Sequence, residues 1–482
     1  MKSVEIAVIG AGPAGLAATA EAVACGAKVT LIDDNRQPGG QYFRQIAGEF
    51  RRKAMTVFDK DQPRAEALLR IVNHPAVDYR PETTVWSLGE DRSVAYAGPR
   101  ESGRLAAGCL ILCPGAHDRP VPFPGWALPG VVTAGGLQNL VKEQRMLPGR
   151  RAVVAGNGPL LLVTAASLLR GGAQVAEVIE AAPIHRRLLP LLPALAASPK
   201  ILRLAMGYRA LMLRHGVPMR SGETVIEALG EESLQAVRVA PIGEDGRVAR
   251  NRARRIEADT LITGFGLRAS TELYQMLGCR LAYHPQRGGW LPQRNDDLET
   301  SCAKILAAGD GAAIGGVEFA LLEGALAGIA AARRVGHPGG SAERESDLRR
   351  GLARMERFRL GLESLYRPPA DYLQLITPET LICRCEEVTA AALSPESLGP
   401  AGSAFALKAA TRIGMGRCQG RFCQATFAAM IAARDGCAIE DVRLPRLRAP
   451  ARLVRIGELL SEEIPEAVLP ADPHLPRGER IG

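Results

Sequence analysis

Four cysteines near the end of the sequence are spaced like a ligand set. Cys383 and Cys385 flank one arginine, and Cys418 and Cys423 follow the glycine-rich run Gly414-Met415-Gly416-Arg417. Four thiolates can hold a [2Fe-2S] cluster or a zinc ion, and bare glycine backbone can donate N–H bonds to cluster sulfurs and tune a potential. Structural zinc sites more often use C-x-x-C knuckles, so this spacing favours the cluster. Zinc and a Cys418–Cys423 redox pair stand as alternatives. The other thiols, Cys25, Cys109, Cys113, Cys279, Cys302 and Cys437, read as core residues. Cys109 and Cys113 lie on a predicted strand, where a rise of about 3.3 Å per residue keeps them too far apart to bridge. Ten cysteines in a long chain expected to be cytoplasmic argue against a disulfide framework.

A second constellation sits at the start. Gly10, Gly12 and Gly15 form G-x-G-x-x-G directly after the apolar run Val4–Ile9, with Pro13 and Ala14 between the last two glycines and Asp33 ending the next predicted strand. Gly10 permits the tight turn, Gly12 lets backbone approach a pyrophosphate, Gly15 lets helix pack on strand, and Asp33 would accept from a ribose hydroxyl. A glycine turn in an unrelated α/β protein is the plainer alternative, and the spacing to Asp33 counts against it. Pro38-Gly39-Gly40-Gln41 resembles the Gly-Gly turn of flavin disulfide-reductase-like proteins. Ile305-Leu306-Ala307-Ala308-Gly309-Asp310 is similar to their late strand, whose aspartate meets the ribitol or pyrophosphate of FAD. The likeness favours FAD over NAD and implies a split FAD domain with a second unit inserted. That unit carries Gly156-Asn157-Gly158, with Leu161 where a third glycine would allow close packing, and Glu180 ending the next strand. An acidic Glu180 suits a ribose, hence NAD over NADP. A working NAD(H) site, another resident nucleotide and a retained scaffold all fit this pattern.

The elements that must position these residues alternate as strand, turn, helix, strand. Val4–Ile9, the turn at 10–15, a helix over 16–25 and a strand over 28–32 make half a Rossmann unit. A similar unit begins at 152–155, continues as a helix through Arg170 and returns as a strand at 174–179. A leucine-rich helical stretch follows over 190–214, then short strands at 224–229 and 235–239. Ser341 to Leu365 reads as a charged helix, broken by Pro368-Pro369. The expected fold is therefore α/β, with two Rossmann-like nucleotide-binding domains plus a small C-terminal α-rich [2Fe-2S] domain. The FAD domain takes 1–118 and 290–340, the inserted domain 119–289, a helical connector 341–372, the cluster domain 373–442 and a proline-rich tail 443–482.

Composition excludes more than it assigns. The net charge of +9 is spread along the chain rather than gathered into a tract, and no nucleic-acid motif accompanies it. An acidic partner or a peripheral membrane surface suits the charge better. No uncharged apolar run approaches the roughly 20 residues that cross a bilayer, so a cytoplasmic location is expected. No cysteine pair follows Gly39–Gly40 and the second unit lacks C-x-x-C, which disfavours disulfide reductase activity. Neither G-x-S-x-G nor H-E-x-x-H occurs. His117 and Arg119 invite a chemical role, but a turn residue and a packing or phosphate-facing arginine account for them as well.

Two further segments carry a family resemblance: Cys113-Pro114-Gly115-Ala116-His117-Asp118-Arg119-Pro120 and Pro122-Phe123-Pro124-Gly125-Trp126-Ala127-Leu128-Pro129-Gly130. With the fingerprints, they resemble the α subunits of heteromeric dye-linked dehydrogenases and oxidases of opines, proline or hydroxyproline, and a hydrogen cyanide synthase subunit, over nearly the whole chain. The C-terminal module is similar to bacterioferritin-associated ferredoxin, although its last cysteine pair is more widely spaced. The resemblance implies FAD held by the first glycine turn, Asp33, Gly40, Gln41, Gly115, Gly309 and Asp310, and a [2Fe-2S] cluster on Cys383, Cys385, Cys418 and Cys423. It also implies an amino-acid-oxidase-like catalytic β subunit with its own flavin, a small third subunit in some complexes, and a quinone or dye as acceptor. Two rivals remain: a self-sufficient NAD(P)H dehydrogenase, and a mainly structural nucleotide-binding scaffold for the partner.

Overall fold

The computed structural model describes residues 1–50, 62–187, 199–394, 403–445 and 447–460. The first unit is built on β1 (Lys2–Ile9), β2 (Val29–Ile32), β3 (Val77–Arg80), β4 (Thr84–Leu88), β5 (Ser93–Ala97) and β6 (Ser102–Leu112). Their order is β3-β2-β1-β6-β5-β4. Ile6 to Ile9 and all of β2 are buried, as expected where helices cover both faces of a parallel sheet. Helix α1 (Pro13–Ala24) starts three residues before the predicted helix, because Pro13 has its φ preset and its missing N–H is not needed in the first turn.

The chain then crosses to the second unit through β7 (Ala116–Asp118). Next come β8 (Val131–Thr133), β9 (Arg151–Gly156), α2 (Leu160–Arg170), β10 (Gln174–Glu180) and β11 (Met219–Ser221). They are followed by β12 (Glu223–Leu229), β13 (Ala236–Pro241), β14 (Arg254–Glu257), β15 (Thr260–Gly264) and β16 (Leu267–Ala269). The parallel order β11-β10-β9-β15-β8 forms the sheet, and β12-β13-β14 pack on it as an antiparallel layer. Of the leucine-rich stretch, Pro199–Arg214 is a helix and 188–198 lie outside the described residues. Outgoing β7 and returning β16 pair antiparallel, so both crossings run through one two-stranded tether.

The return is earlier than residue 290. Leu273, Tyr274, Leu277 and Cys279 already lie in the core of the first sheet, and the Tyr274 hydroxyl donates to the Leu112 carbonyl at 2.9 Å. The helix carrying them, Glu272–Met276, is too short to show a period in sequence. The hairpin β17 (Leu281–His284) and β18 (Gly289–Pro292) follows, then β19 (Ile305–Ala307) pairs parallel with the end of β6, and α3 (Val317–Arg334) covers the sheet. Helix α4 (Ala342–Leu365) is capped by Ser341, whose hydroxyl accepts from the Arg344 N–H, close to the bounds its charge pattern predicts. The C-terminal module comprises β20 (Leu381–Cys383), β21 (Val388–Thr389), the helix Ala404–Thr411 and α5 (Gln424–Asp435) around its own core of Ile382, Val388, Leu407, Phe427 and Ile431. Of the tail, Ala451 is buried against the first sheet and donates to the Trp86 carbonyl at 2.8 Å; 461–482 lie outside the described residues. Among the described residues no helix is long and apolar enough to cross a membrane.

Helices α1 and α3 touch backbone to backbone. A methyl group on Gly324 would sit 2.1 Å from the Ala14 carbonyl oxygen, and one on Gly328 would sit 2.2 Å from that of Ala18. Gly324→Ala therefore forces the helices apart, and should lower unfolding stability in urea by about 1–3 kcal/mol. Gly207→Ala is the control, because nothing lies within 4 Å of its Cβ position in the helix Pro199–Arg214; it should raise stability by roughly 0.5–1 kcal/mol.

Candidate functional site

The glycines of the first fingerprint are where side chains have no room. A methyl on Gly10 (φ +105°) would lie 2.3 Å from the Cys113 carbonyl oxygen, and one on Gly15 would lie 1.8 Å from that of Gly10. Gly12 caps α1 in an extended conformation. Gly40 (φ +59°) comes so near that its own Cβ would be 2.8 Å from the Gly12 Cα, and Gly39 donates to the Ala11 carbonyl at 2.8 Å. The Gly-Gly turn thus closes over the first glycine turn, leaving Gln41 exposed beside it.

Asp33 is buried at the end of β2, and burial pushes its carboxyl above the usual range against the pull of its hydrogen bonds. Oδ1 accepts from the Asn35 N–H (2.7 Å) and the Asn35 amide (2.8 Å), while Oδ2 accepts from the Ala11 N–H. With one bond at Oδ2, that oxygen keeps acceptor capacity for a ribose hydroxyl. Across the cradle, Gly309 (φ +73°) lies against Ala14, where a methyl would meet its Cβ at 2.7 Å. Asp310 Oδ1 accepts from the N–H groups of Gly315 (2.9 Å) and Gly316 (3.0 Å), tying the late turn to the start of α3. Gly115 (φ +69°) has no atom within 4 Å of its Cβ position. These residues meet at the carboxyl ends of β1, β2, β6 and β19, where open parallel sheets bind dinucleotides. Sequence reasoning missed the support beneath them: Glu323, 2% exposed, accepts from the Gly309 N–H (2.8 Å) and pairs with Arg294 (2.8 Å). Its signal was a glutamate set within the apolar run Phe319–Ala332 of α3.

The second glycine turn keeps its shape by other means. A methyl on Gly156 would be 2.1 Å from the Gly264 carbonyl oxygen. Leu161, buried in the third-glycine position, is accommodated by Gly264 on β15, whose own Cβ would lie 2.9 Å from Leu161 Cδ2. Both Glu180 oxygens accept backbone N–H bonds at 2.9 Å, from Gly158 and Ala182. Asn157 donates to the Tyr366 carbonyl (2.8 Å) and accepts from the Tyr372 hydroxyl (3.2 Å), and the Tyr372 ring stands edge-on to Phe265 at 5.0 Å. The chain leaving α4 therefore crosses directly at this turn, a contact that its proline-marked sequence did not foretell.

In the C-terminal module the four thiols come together as two pairs, Cys383 with Cys423 and Cys385 with Cys418. Cys383 receives a hydrogen bond from Cys423 and N–H bonds from Gly414, Glu386 and Cys385, which hold its thiol near 5 against the cost of burial. Cys423, as donor in a buried pair, is pushed up. Burial raises Cys385 although it accepts from the Cys418 N–H. Gly416 packs so closely that a methyl there would lie 2.3 Å from Cys385 Cβ, and one on Gly414 would lie 4.0 Å from Cys423 Sγ. Among the described residues no group of three or more His, Cys, Asp or Glu is arranged to hold a single metal ion. Of the remaining cysteines, Cys279 and Cys302 approach to 3.5 Å between sulfurs, a contact the sequence did not suggest.

The cysteine loop is docked on the tether. The Arg421 carbonyl accepts from His117 Nε2 (3.0 Å) and from Arg268 (3.4 Å), and the Arg421 guanidinium pairs with Glu272 (2.9 Å). Because a carbonyl only accepts, His117 carries its hydrogen on Nε2, and burial followed by the Arg268 charge holds its pKa down at about 4. Trp126 Nε1 donates to the Leu381 carbonyl (2.7 Å), with the Arg384 guanidinium 5.2 Å from its ring centre. The two segments that carried the family likeness thus seat the cysteines.

Residues 4–336 match the family model for pyridine nucleotide-disulphide oxidoreductases. The chain belongs to this family. One opine oxidase subunit from Agrobacterium tumefaciens (strain Ach5) is 36% identical over 473 residues, covering 94% of this chain and 91% of that protein. Hydrogen cyanide synthase subunit HcnB of Pseudomonas protegens (strain DSM 19095 / LMG 27888 / CFBP 6595 / CHA0) is 32% identical over 426 residues, covering 86% and 89%. The crystal structure of L-proline dehydrogenase from P. horikoshii shares the fold, with a TM-score of 0.66 at 20% identity over 95% of this chain and 79% of that one. This member of the family is a flavoprotein oxidoreductase whose first glycine cradle fits FAD.

In this oxidoreductase Glu180 makes the second unit sensitive to pH. Burial raises its carboxyl to about 7. Between the ordinary value and about 7 the unfolded chain is ionised while the folded one holds its proton, so stability falls as pH rises through that window. The loss is on the order of 3 kcal/mol at most. Urea unfolding at pH 5, 6, 7 and 8 should show this slope in the wild type and a flatter one in Glu180→Gln.

Proposed function

We propose that this chain is the electron-transfer subunit of a heteromeric oxidoreductase that acts on the CH–NH group of a secondary amine such as an opine, proline or hydroxyproline. The amine is oxidised on a partner flavoprotein subunit, and a quinone or dye accepts the electrons. The names of the relatives, subunits of an opine oxidase and of a hydrogen cyanide synthase, support a place in such a complex. In this reading FAD lies on the first sheet, and a [2Fe-2S] cluster lies in residues 373–442 on Cys383, Cys385, Cys418 and Cys423. When bound, the two groups supply the redox chemistry, and the chain's own residues hold them and exclude water.

The observation that carries the proposal is the docking of the cysteine loop on the tether that leaves the FAD cradle. Gly115 belongs to the cradle; two residues on, His117 donates to the carbonyl of Arg421, two residues before Cys423. Cys383 with Cys423 and Cys385 with Cys418, each pair within electrostatic reach of the other, supply the all-cysteine set that a two-iron cluster takes. Three N–H groups on the Cys383 sulfur stabilise it as the thiolate that ligation needs.

The second glycine unit serves in this proposal as a frame and not as an NAD(H) site. Glu180, the residue expected to meet a ribose, has both oxygens on backbone N–H groups, and Tyr366 and Tyr372 engage Asn157 across the turn. This counts against the self-sufficient NAD(P)H dehydrogenase.

Anaerobic purification of the chain with its partner subunits should give about two irons and two sulfides per chain and little zinc. A candidate amine should elicit the EPR signal of a reduced cluster, and Cys418→Ser should remove iron while leaving flavin bound. Zinc in place of iron, or flavin bleaching by NADH but by no amine, would refute the proposal.

A further inference from the structure

A cleft of about 90 Å³ lies where the tether, the hairpin β17–β18, the connector after α4 and helix α5 meet. None of the cradle's glycines lines it. Its charge is one-sided. Arg119 and Arg268 both face it, and Arg268 is only 9% exposed. Arg268 makes a 3.4 Å hydrogen bond to the Arg421 carbonyl, and among the described residues neither arginine forms an ion pair. Burial and the nearby Arg119 charge depress Arg268 to about 10. Glu272, the carboxylate that most favours the Arg268 charge, is already paired with Arg421 at 2.9 Å. Asp371 at the rim is exposed and accepts from the Leu373 N–H at 3.0 Å. Two guanidiniums in one cleft, one of them nine-tenths buried, repel each other unless a negative group comes between them, because buried charge is stable only when paired.

The walls suit such a group. Tyr283 and Trp290 pack with ring centres 4.7 Å apart and planes tilted by 57°, giving an apolar side, and Tyr372 closes another. Gly289 (φ +93°) leaves the wall bare beside Arg268, where its Cβ would be 3.9 Å from Nε. The volume exceeds the roughly 30 Å³ share of one water but falls far below the roughly 300–1,000 Å³ of pockets that enclose drug-sized ligands. Guanidinium forks match the paired oxygens of phosphate and carboxylate.

We propose that this cleft binds a small oxyanion, the phosphate or carboxylate group of a ligand, held between Arg119 and Arg268 against the Tyr283–Trp290 pair. It does not depend on the amine substrate, and the Cys423 thiol of the neighbouring cysteine loop also favours the Arg268 charge.

The test is isothermal titration of the full chain, saturated with FAD, with sodium phosphate and separately with sodium acetate, each against sodium chloride at equal ionic strength. The wild type should bind at least one of the two saturably, and the stronger identifies the group. Arg119→Gln and Arg268→Gln should each weaken that binding by about tenfold or more. The Arg119 side chain makes no hydrogen bond or ion pair among the described residues, so Arg119→Gln should keep the wild-type melting temperature in chloride. Absence of saturable binding for both anions, or unchanged binding in folded Arg119→Gln, overturns the proposal and leaves Arg268 as a counter-charge to the thiols alone.

Discussion

Helix α1 sits against two other pieces of backbone at once, and the rest of the first unit depends on that contact. On one side Gly15 lies on the Gly10 carbonyl, and on the other Gly324 and Gly328 of α3 lie on the carbonyls of Ala14 and Ala18. Each of these approaches is shorter than any side chain permits. They set the depth of the α1 N-terminus in the cradle and bring the start of α3, with Asp310 beneath it, to the same place. A dinucleotide site here is a set of places where side chains are missing, framed by one buried carboxylate on each side.

The second unit repeats the frame with different contacts. Its third glycine is replaced by Leu161, and the room is recovered from the opposite strand at Gly264. Its acidic residue satisfies backbone groups at both oxygens, so the chain's own hydrogen bonds hold the turn. The connector then lies on that turn through Asn157 and continues to the cysteine module. The unit therefore acts structurally in two directions, closing on itself and orienting the chain that leaves it.

Between the units, the tether of β7 and β16 is where the polar interactions concentrate. His117 and Arg268, paired across it, share one carbonyl of the cysteine loop, and Glu272 holds the same residue by its guanidinium. Uncharged His117 suits this place, since a third cation beside Arg268 and Arg119 would add to the repulsion already there. The loop is fixed by groups of the tether and the first unit rather than by its own module alone.

The sequence by itself determined what depends on neighbours in the chain. The glycine spacing before a helix, the acidic residue after the next strand, the charged helix before Pro368-Pro369 and the four thiols at 383–423 were all legible, because a turn, a cap or a close cysteine spacing is a local requirement. Only the tertiary structure decided what depends on residues far apart. The Glu323 support under Gly309, the match of Gly264 to Leu161, the pairing of Cys383 with Cys423 and the junction of Arg119 with Arg268 are of this kind. Their physical reason is common: each is a contact between segments brought together by burial, where the fit of one residue is set by the size or charge of another that no spacing rule connects to it.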